Sequence, residues 1–380
     1  MIYLDNAATS YPKPSVMINS FTKSIKTYGG NPGRGGHKIS MKTAEMVYDV
    51  RNLAAKMFAS SPENIVFTLN CTHALNLAIK GIVSQGDHLI ISNFEHNSVL
   101  RPVHALSLSG RATYSIAVVN PRSAEKTAAS FERLIRKNTR AIICTHASNV
   151  TGDILPIKEI SEVAKHYGIN LIVDTAQTAG ILPINIDEMG IDVLCCAGHK
   201  GLYGPSGTGL MILRNDDTKL STLIQGGTGS NSIEFEQPEF SPDRFETGTI
   251  NTAGIYALGE SIKHIQKKGV DKIYKKEFSL IHDCFIRLKR IGKVILYDNE
   301  YIINKKVPVL PFNIEGLHSD ETAAKLNKMN IAIRGGLQCA PLTHQFLGTL
   351  ENGIARVSPG IYNKTYDIDY FISVIRRICK

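Results

Sequence analysis

The stretch from residue 64 to 213 alternates short apolar runs with segments of helical spacing, and this alternation constrains the fold more than any other feature. Helical spacing is clear in Thr72–Ser84 and Ile157–Tyr167. The pattern predicts an α/β fold with a mostly parallel seven-stranded sheet and helices on both faces. The predicted strands are Asn64–Leu69, His88–Ser92, Thr113–Val119, Arg140–Thr145, Asn170–Asp174, Asp192–Cys196 and Thr208–Leu213.

The remainder of the chain predicts a smaller C-terminal α+β domain. Its predicted elements are a helix from Asn251 to about Ile291, an extended segment Val307–Ile314, a helix near Asp320–Met329 and a helix from Asp367. We expect an N-terminal segment at 1–15 that packs with the small domain, a large domain at 16–255 and the small domain at 256–380. Tyr28–Gly36 and Gln225–Glu246 are rich in Gly, Pro and polar residues, which predicts long, functional loops.

Composition and charge exclude several classes of protein. With 380 residues, 43% hydrophobic and 20% charged, the chain suits a globular protein with a full core. The net charge of +9 is spread over short pairs such as Lys275-Lys276, so we expect no nucleic-acid partner. No signal peptide and no apolar segment of about 18 residues is present, so we expect no membrane partner. Seven cysteines without a C-x-x-C pair predict no metal site and a reduced, cytoplasmic protein.

An acid and a lysine follow two of the predicted strands. Asp174 ends one strand, with Gln177 shortly after it, and Lys200 follows the next strand. The carboxyl ends of strands in such sheets are where ligands bind. A pyridine cofactor needs this pair, because the carboxylate keeps the ring nitrogen protonated and the amine makes the Schiff base. Taken alone, the same residues also suit a surface lysine and a helix-capping aspartate.

Further polar residues follow other predicted strands. Cys71 and Thr72 open a helix, where backbone N–H groups and a hydroxyl suit a phosphate, although Thr72 also suits a helix cap. His96 could stack on a pyridine ring and handle protons, or be a hydrogen-bonded structural histidine. Asn149, like Gln177, could hydrogen-bond a ring hydroxyl, and Asn149 also suits ordinary turn chemistry.

Taken together, these residues resemble the class V group of pyridoxal-phosphate enzymes, and within it the short-loop cysteine desulfurases and selenocysteine lyases. The matching segments are Tyr3–Ala8, Asn31–Ser40, Thr72, Glu95-His96, Ser148-Asn149, Asp174–Gln177, Gly198–Lys200, Gly248–Asn251, Arg334–Cys339 and Arg356. The resemblance implies a fold-type-I homodimer whose large domain binds pyridoxal 5′-phosphate. It also implies that His199 and Thr72 hold the phosphate, and that Thr249 reaches the phosphate of the neighbouring subunit.

The predicted reaction depends on Cys339, whose segment resembles the Arg-x-Gly-x-x-Cys-Ala loop of these desulfurases. A Gly-Gly pair, a proline and the nearby Arg334 favour an exposed loop in which a thiolate is stabilised, rather than a buried structural cysteine. Arg356 matches the arginine that binds the substrate carboxylate, for which a planar guanidinium is suited, although it could also form a structural salt bridge. Arg334, Asn31 and Arg34 complete the predicted substrate site.

The expected reaction converts L-cysteine to L-alanine, with a persulfide on Cys339 that passes to a sulfur-acceptor protein or a small thiol. Lys200 and His96 are the other predicted catalytic residues. Gln338 stands where these relatives usually carry histidine, Ala197 where many carry serine, and Cys71 and His73 where threonine and glutamate are common. Selenocysteine cleavage, transamination or C–S cleavage of another amino acid therefore stays open, as does a scaffold without catalysis.

Overall fold

The computed structural model describes residues 1–33, 35–215 and 218–380. Its strands are β1 (Ile2–Tyr3), β2 (Ile65–Thr68), β3 (Asp87–Ser92), β4 (Ala112–Ala117), β5 (Thr139–Thr145), β6 (Asn170–Asp174), β7 (Val193–Ala197), β8 (Gly209–Leu213), β9 (Val294–Leu296), β10 (Leu310–Ile314), β11 (Ile331–Ala332) and β12 (Ala355–Val357). Its helices are α1 (Ser15–Thr27), α2 (Lys38–Phe58), α3 (Cys71–Ile82), α4 (Asn97–Leu108), α5 (Ala124–Glu132), α6 (Ile157–His166), α7 (Thr252–Lys268), α8 (Val270–Leu288), α9 (Ser319–Lys328), α10 (Pro341–Leu347) and α11 (Thr365–Ile378).

The main sheet has seven strands in the order β2-β8-β7-β6-β5-β3-β4. Strands β3 to β7 pair in parallel, whereas β8 is antiparallel to both of its neighbours. The predicted mostly parallel sheet is therefore confirmed, and the predicted strand ends differ from the observed ones by two residues at most.

Helices cover both faces of this sheet because successive strand residues point to opposite sides. In β6, Leu171 and Val173 join a core that contains residues of α2, α6 and α7. Ile172 between them joins a second core, formed with α3 and α4. Strands buried on both faces carry continuous apolar runs, which explains why the sequence revealed them so clearly.

A third core lies in the C-terminal part of the chain. Residues of α8, α9 and α11 pack there against the antiparallel sheet β12-β10-β9, and Leu4 contributes to the same core. Strand β1 pairs in parallel with β11, joining Ile2 to Ile331 and Tyr3 to Ala332. Residues 2–4 thus pack with the C-terminal region, while the bounds of the three predicted regions stay predictions.

The C-terminal prediction needs two corrections. The helical pattern from Asn251 is two helices, α7 and α8, because Gly269 adopts a φ of +83° between them. The extended segment predicted at Val307–Ile314 is a strand only from Leu310, since the Val307 and Val309 carbonyls accept hydrogen bonds from the Tyr301 hydroxyl instead of a neighbouring strand. Within the described residues, both predicted loops contain neither helix nor strand, and no helix is long and apolar enough to cross a membrane.

Candidate active site

A cavity of about 230 Å³ lies beyond the carboxyl ends of the parallel strands. It brings together most of the predicted site residues, namely Cys71, Thr72, His96, Asn149, Asp174, Gln177, His199, Lys200, Arg334, Cys339 and Arg356. Asp174 ends β6 and Lys200 follows β7, and these strands are adjacent and parallel. The sheet therefore holds an acid and an amine at one edge, as the sequence predicted.

The Asp174 carboxylate is buried, with 4% of its surface exposed. Its Oδ1 accepts hydrogen bonds from the Ala176 amide (2.8 Å) and from the Cys71 thiol (3.3 Å). Burial, reinforced by Asp174, raises the pKa of Cys71 well above its usual range, so this thiol is neutral and donates. Among the described residues, both hydrogen bonds to the Asp174 carboxylate are accepted by Oδ1. Oδ2 is therefore left for a donor inside the cavity.

The first turn of α3 presents N–H groups at the cavity. Asn70 caps the helix: its side-chain oxygen accepts from the His73 amide at 2.9 Å and its carbonyl from the Ala74 amide at 3.1 Å. The amides of Cys71 and Thr72 have no acceptor among the residues described here. Free N–H groups at the positive end of a helix dipole form an anion site.

The His96 ring is connected to this anion site through Ser98. His96 Nδ1 accepts from the Ser98 amide at 3.0 Å, and the Ser98 hydroxyl lies 2.7 Å from the Thr72 hydroxyl. Burial, together with Lys200, lowers the pKa of His96 to about 4. The ring is therefore neutral near pH 7, with its proton on Nε2. Ser98 was not predicted, because a serine after histidine carries no distinguishing signal.

Lys200 stands in surroundings that favour its neutral amine. Burial lowers its pKa, and Asp174 opposes only part of this effect. A lysine with a lowered pKa is an effective nucleophile and proton acceptor at neutral pH.

Residues 7–13 contact two residues of the site, and these contacts were not predicted from the sequence. Gln177 Nε2 donates to the Ala7 carbonyl at 3.1 Å, and His199 Nδ1 lies 3.1 Å from the Thr9 hydroxyl. The Lys13 amine donates to the His199 carbonyl at 2.8 Å, and burial lowers the pKa of Lys13 to about 8. The contacts of Gln177 and His199 with this segment fix both side chains at the cavity edge.

Arg356 is buried, and its guanidinium is held from two sides. Nη2 donates to Asp5 at 2.8 Å, and Nη1 donates to the Asn149 carbonyl at 2.8 Å. Its Nε is buried with no partner among the described residues. A fixed guanidinium with an unused donor is suited to a carboxylate ligand. The Asp5 contact was missed because Asp5 lies 351 residues away in sequence.

Cys339 is exposed, whereas Cys71, Cys144, Cys195, Cys196 and Cys284 are buried. The alternative of a buried structural cysteine at position 339 is therefore wrong. The Cys339 carbonyl accepts from the Asn97 amide at 2.7 Å, directly after His96. The Asn149 side-chain amide donates to the Gln338 carbonyl at 2.7 Å, so Asn149 contacts the cysteine loop.

Two of the predicted residues, Asn31 and Thr249, do not line this cavity. Asn31 Nδ2 donates to the Thr249 hydroxyl at 3.3 Å, and Thr249 lines a separate cavity of about 280 Å³. Arg34 lies outside the described residues. In the part of the chain that is described, no group of three or more His, Cys, Asp or Glu side chains could hold a metal ion.

Comparison with known proteins gives one family and consistent relatives. The sequence pattern of the family described as Aminotransferase class-V matches residues 2–371. A cysteine desulfurase of Wigglesworthia glossinidia brevipalpis is 30% identical, with 100% of this chain and 93% of that protein covered. A probable cysteine desulfurase of Borreliella burgdorferi is 31% identical, with 100% and 92% covered. The solved apo structure of the cysteine desulfurase from Thermococcus onnurineus NA1 has a TM-score of 0.91 at 29% identity, covering 100% and 94%.

Proposed function

Because the chain belongs to the aminotransferase class-V family, we propose that it is a pyridoxal-phosphate-dependent cysteine desulfurase. It converts L-cysteine to L-alanine and carries the removed sulfur as a persulfide on Cys339. The observation that carries this proposal is that Lys200, Asp174, Arg356 and an exposed cysteine line one cavity. The desulfurase names of full-length relatives support the same reaction.

The residues at the cavity fit pyridoxal phosphate, the cofactor of this family. The free amides of Cys71 and Thr72 at the start of α3 suit the phosphate. Asp174 has an oxygen left for a protonated ring nitrogen, and the neutral, flat ring of His96 suits stacking. When bound, the cofactor supplies an electron-withdrawing pyridine ring, which makes the α-proton of an amino acid removable.

Lys200 would hold the cofactor covalently, and its amine would serve as the proton carrier. Burial lowers the pKa of Lys200, which favours the neutral amine that can accept the α-proton of the substrate. His96, neutral with a proton on Nε2, is a second group that can give or accept a proton at the cavity.

Arg356 binds the substrate carboxylate. The contacts of its guanidinium with Asp5 and with the Asn149 carbonyl support this role, because they fix its orientation before substrate arrives. Fixing the carboxylate orients the rest of a small amino acid, since its α-carbon and side chain then point in set directions. Arg334, whose backbone pairs with that of Arg356, adds positive charge at the same entrance.

Cys339 removes the sulfur. Its thiolate attacks the substrate sulfur, so that an S–S bond forms and the Cβ–S bond breaks. The electron pair of the broken bond stays on the β-carbon, which takes a proton and becomes the methyl group of alanine. The persulfide on Cys339 then passes its outer sulfur to an acceptor protein or a small thiol. The exposure of Cys339 supports both the attack and this transfer.

The experiment that tests the function assays alanine and sulfide together. Purified protein with pyridoxal phosphate and a reducing thiol is given L-cysteine, and L-selenocysteine in parallel. We expect equal amounts of alanine and sulfide from L-cysteine. Alanine from selenocysteine alone would reassign the substrate. No alanine from either amino acid would overturn the proposal.

We further propose that the protein is a cytoplasmic homodimer. We also propose that each subunit is divided as predicted from the sequence, into regions 1–15, 16–255 and 256–380. Ile233 and Phe235, in the loop at 225–246, have 95% and 104% of their surface exposed, and exposed apolar side chains of this kind favour a protein interface. Thr249 lines a separate cavity and not the active-site cavity of its own chain, which supports a role toward a second subunit. Seven free cysteines support a reducing compartment.

A further inference from the structure

Gln338 precedes the exposed Cys339, yet its own side chain is buried, with 5% of its surface exposed. Gln338 Nε2 donates to the Ile354 carbonyl at 2.8 Å, and Oε1 lies 3.0 Å from His344 Nε2. His344 is fully buried, and its Nδ1 lies 2.9 Å from the Thr349 hydroxyl. These contacts form a continuous chain of buried hydrogen bonds behind the cysteine loop.

The direction of these bonds is fixed by chemistry. Because Gln338 Nε2 meets a carbonyl, the amide oxygen faces His344 and must accept. His344 therefore carries a proton on Nε2, which leaves Nδ1 as an acceptor for the Thr349 hydroxyl. Burial lowers the pKa of His344, which is consistent with this neutral ring.

The backbone of the loop adopts a conformation that needs support. Gln338 and Cys339 have φ values of +43° and +57°, in the left-handed region that L residues rarely occupy. Two consecutive residues in this region persist only where surrounding contacts hold them. Both carbonyls are held, that of Gln338 by Asn149 and that of Cys339 by the Asn97 amide.

We infer that Gln338 is a positioning residue, which through His344 clamps the loop in its left-handed form and so fixes Cys339 at the cavity. This inference rests on the proposed desulfurase function. The side chain acts on the backbone and exchanges no proton with the thiol. A neutral amide therefore serves at this position.

The functional test compares Gln338→Ala with Gln338→Gly. Both variants lose the two side-chain hydrogen bonds, but glycine adopts a positive φ without strain. We expect kcat for alanine formation to fall about tenfold in the alanine variant and by a smaller factor in the glycine variant. Pyridoxal phosphate binding, measured by absorbance, should stay unchanged in both. A kcat equal to that of the unmodified protein in both variants would overturn the inference.

The matched control is Thr343→Val, in the same helix α10. Thr343 is buried, and its hydroxyl contacts the Asn93 carbonyl at 3.4 Å instead of Gln338. We expect its kcat to stay within about twofold of the unmodified protein. An equal loss in this control and in the alanine variant would mean that disturbance of α10, and not the clamp, lowers the rate.

Hydrogen exchange tests the clamp without any activity. The Asn97 amide donates to the Cys339 carbonyl, and the Ala340 amide donates to the Leu337 carbonyl at 3.0 Å. In Gln338→Ala both amides should exchange about tenfold faster, while amides of β6 and β7 keep their rates. Unchanged exchange at Asn97 and Ala340 would overturn the inference. If the unmodified protein makes no alanine, the desulfurase function fails, whereas exchange still decides the clamp.

Discussion

The two walls of the cavity are built in different ways. On one wall, Asp174 ends β6 and Lys200 follows β7, so both positions depend on a parallel strand pair that joins Asp174 to Cys195. On the other wall, Cys339 lies in the loop between β11 and α10, where no strand ladder runs. The backbone ladder of a buried sheet thus holds the first wall, whereas isolated hydrogen bonds from side chains and from single amides hold the second.

This difference predicts how each wall responds to single substitutions. A sheet ladder is formed by peptide groups that every residue carries, so changes in single side chains leave its register intact. The cysteine loop depends on Gln338, Asn149 and the amide of Asn97, and losing one of them removes a large share of its support. We therefore expect substitutions on the sheet wall to affect chemistry alone, and substitutions near the loop to affect position as well.

The largest effect is expected from Lys200→Ala. Removal of the amine takes away the proposed covalent anchor and the proposed proton carrier together, so alanine formation should fall by at least about a thousandfold. Thermal unfolding should change little, because the sheet holds the backbone of β7. A residual rate within tenfold of the unmodified protein would show that another group accepts the α-proton.

Cys339→Ser should lower alanine formation by at least about a hundredfold, because a hydroxyl is far less nucleophilic than a thiolate toward sulfur. Pyridoxal phosphate binding should be kept, since the residues proposed to hold the cofactor do not include Cys339. Cys379→Ser is the matched control, as Cys379 is also partly exposed but lies after α11. Equal losses in the two variants would contradict the assignment of the nucleophile.

Arg356→Lys tests the carboxylate site between the two walls. A lysine amine cannot reproduce the planar arrangement that meets Asp5, the Asn149 carbonyl and a substrate carboxylate together. We expect KM for L-cysteine to rise about tenfold to a hundredfold. The control is Arg287→Lys, whose ion pair with Asp369 lies near the surface and contributes little. Steady-state kinetics with an unchanged KM in Arg356→Lys would remove the arginine from substrate binding.

The smallest effect on turnover is expected at Glu95, which supports the sheet wall beside His96 and acts on stability. Its Oε1 accepts from the Thr145 amide at 2.9 Å and from the Ser92 hydroxyl, while Oε2 is buried without a partner among the described residues. Burial raises the pKa of Glu95 from 4.5 to about 8. The folded protein therefore keeps this proton between pH 5 and 8, where the unfolded chain releases it, so stability falls as pH rises through this window.

Glu95→Gln should remove this dependence. Each pH unit costs the unmodified protein up to about 1.4 kcal/mol through this group, so its free energy of unfolding should fall more steeply between pH 5 and 8 than that of the variant. Urea unfolding at both pH values measures the difference. The exposed Glu63→Gln is the control and should follow the unmodified protein. Parallel curves for Glu95→Gln and the unmodified protein would contradict the raised pKa.

The sheet could be predicted from the sequence because its signal is local. Continuous apolar runs mark strands buried on both faces, and the residues just after them, Asp174 and Lys200, could be assigned to one edge by topology alone. The break at Gly269 was missed because the apolar spacing continues across it into α8. One glycine in a helical pattern is often tolerated, so its positive φ became visible only in the structure.

The supporting contacts of the site could not be predicted, because they join residues that are distant in sequence. Asp5 contacts Arg356 across 351 positions, and Thr9 contacts His199 across 190. The bond between Gln338 and His344 spans only six positions, but it depends on a left-handed backbone that glutamine rarely adopts. Residue type and spacing carry no signal for such pairs.

The pairing of β1 with β11 has a consequence for the order in which the chain is synthesised. Ile2 and Tyr3 leave the ribosome more than three hundred residues before their partners Ile331 and Ala332. The separation is even longer for Asp5, whose partner Arg356 is synthesised 351 residues later. The large sheet can therefore form while translation continues, but the contact between Asp5 and Arg356 at the cavity forms only after Arg356 has emerged.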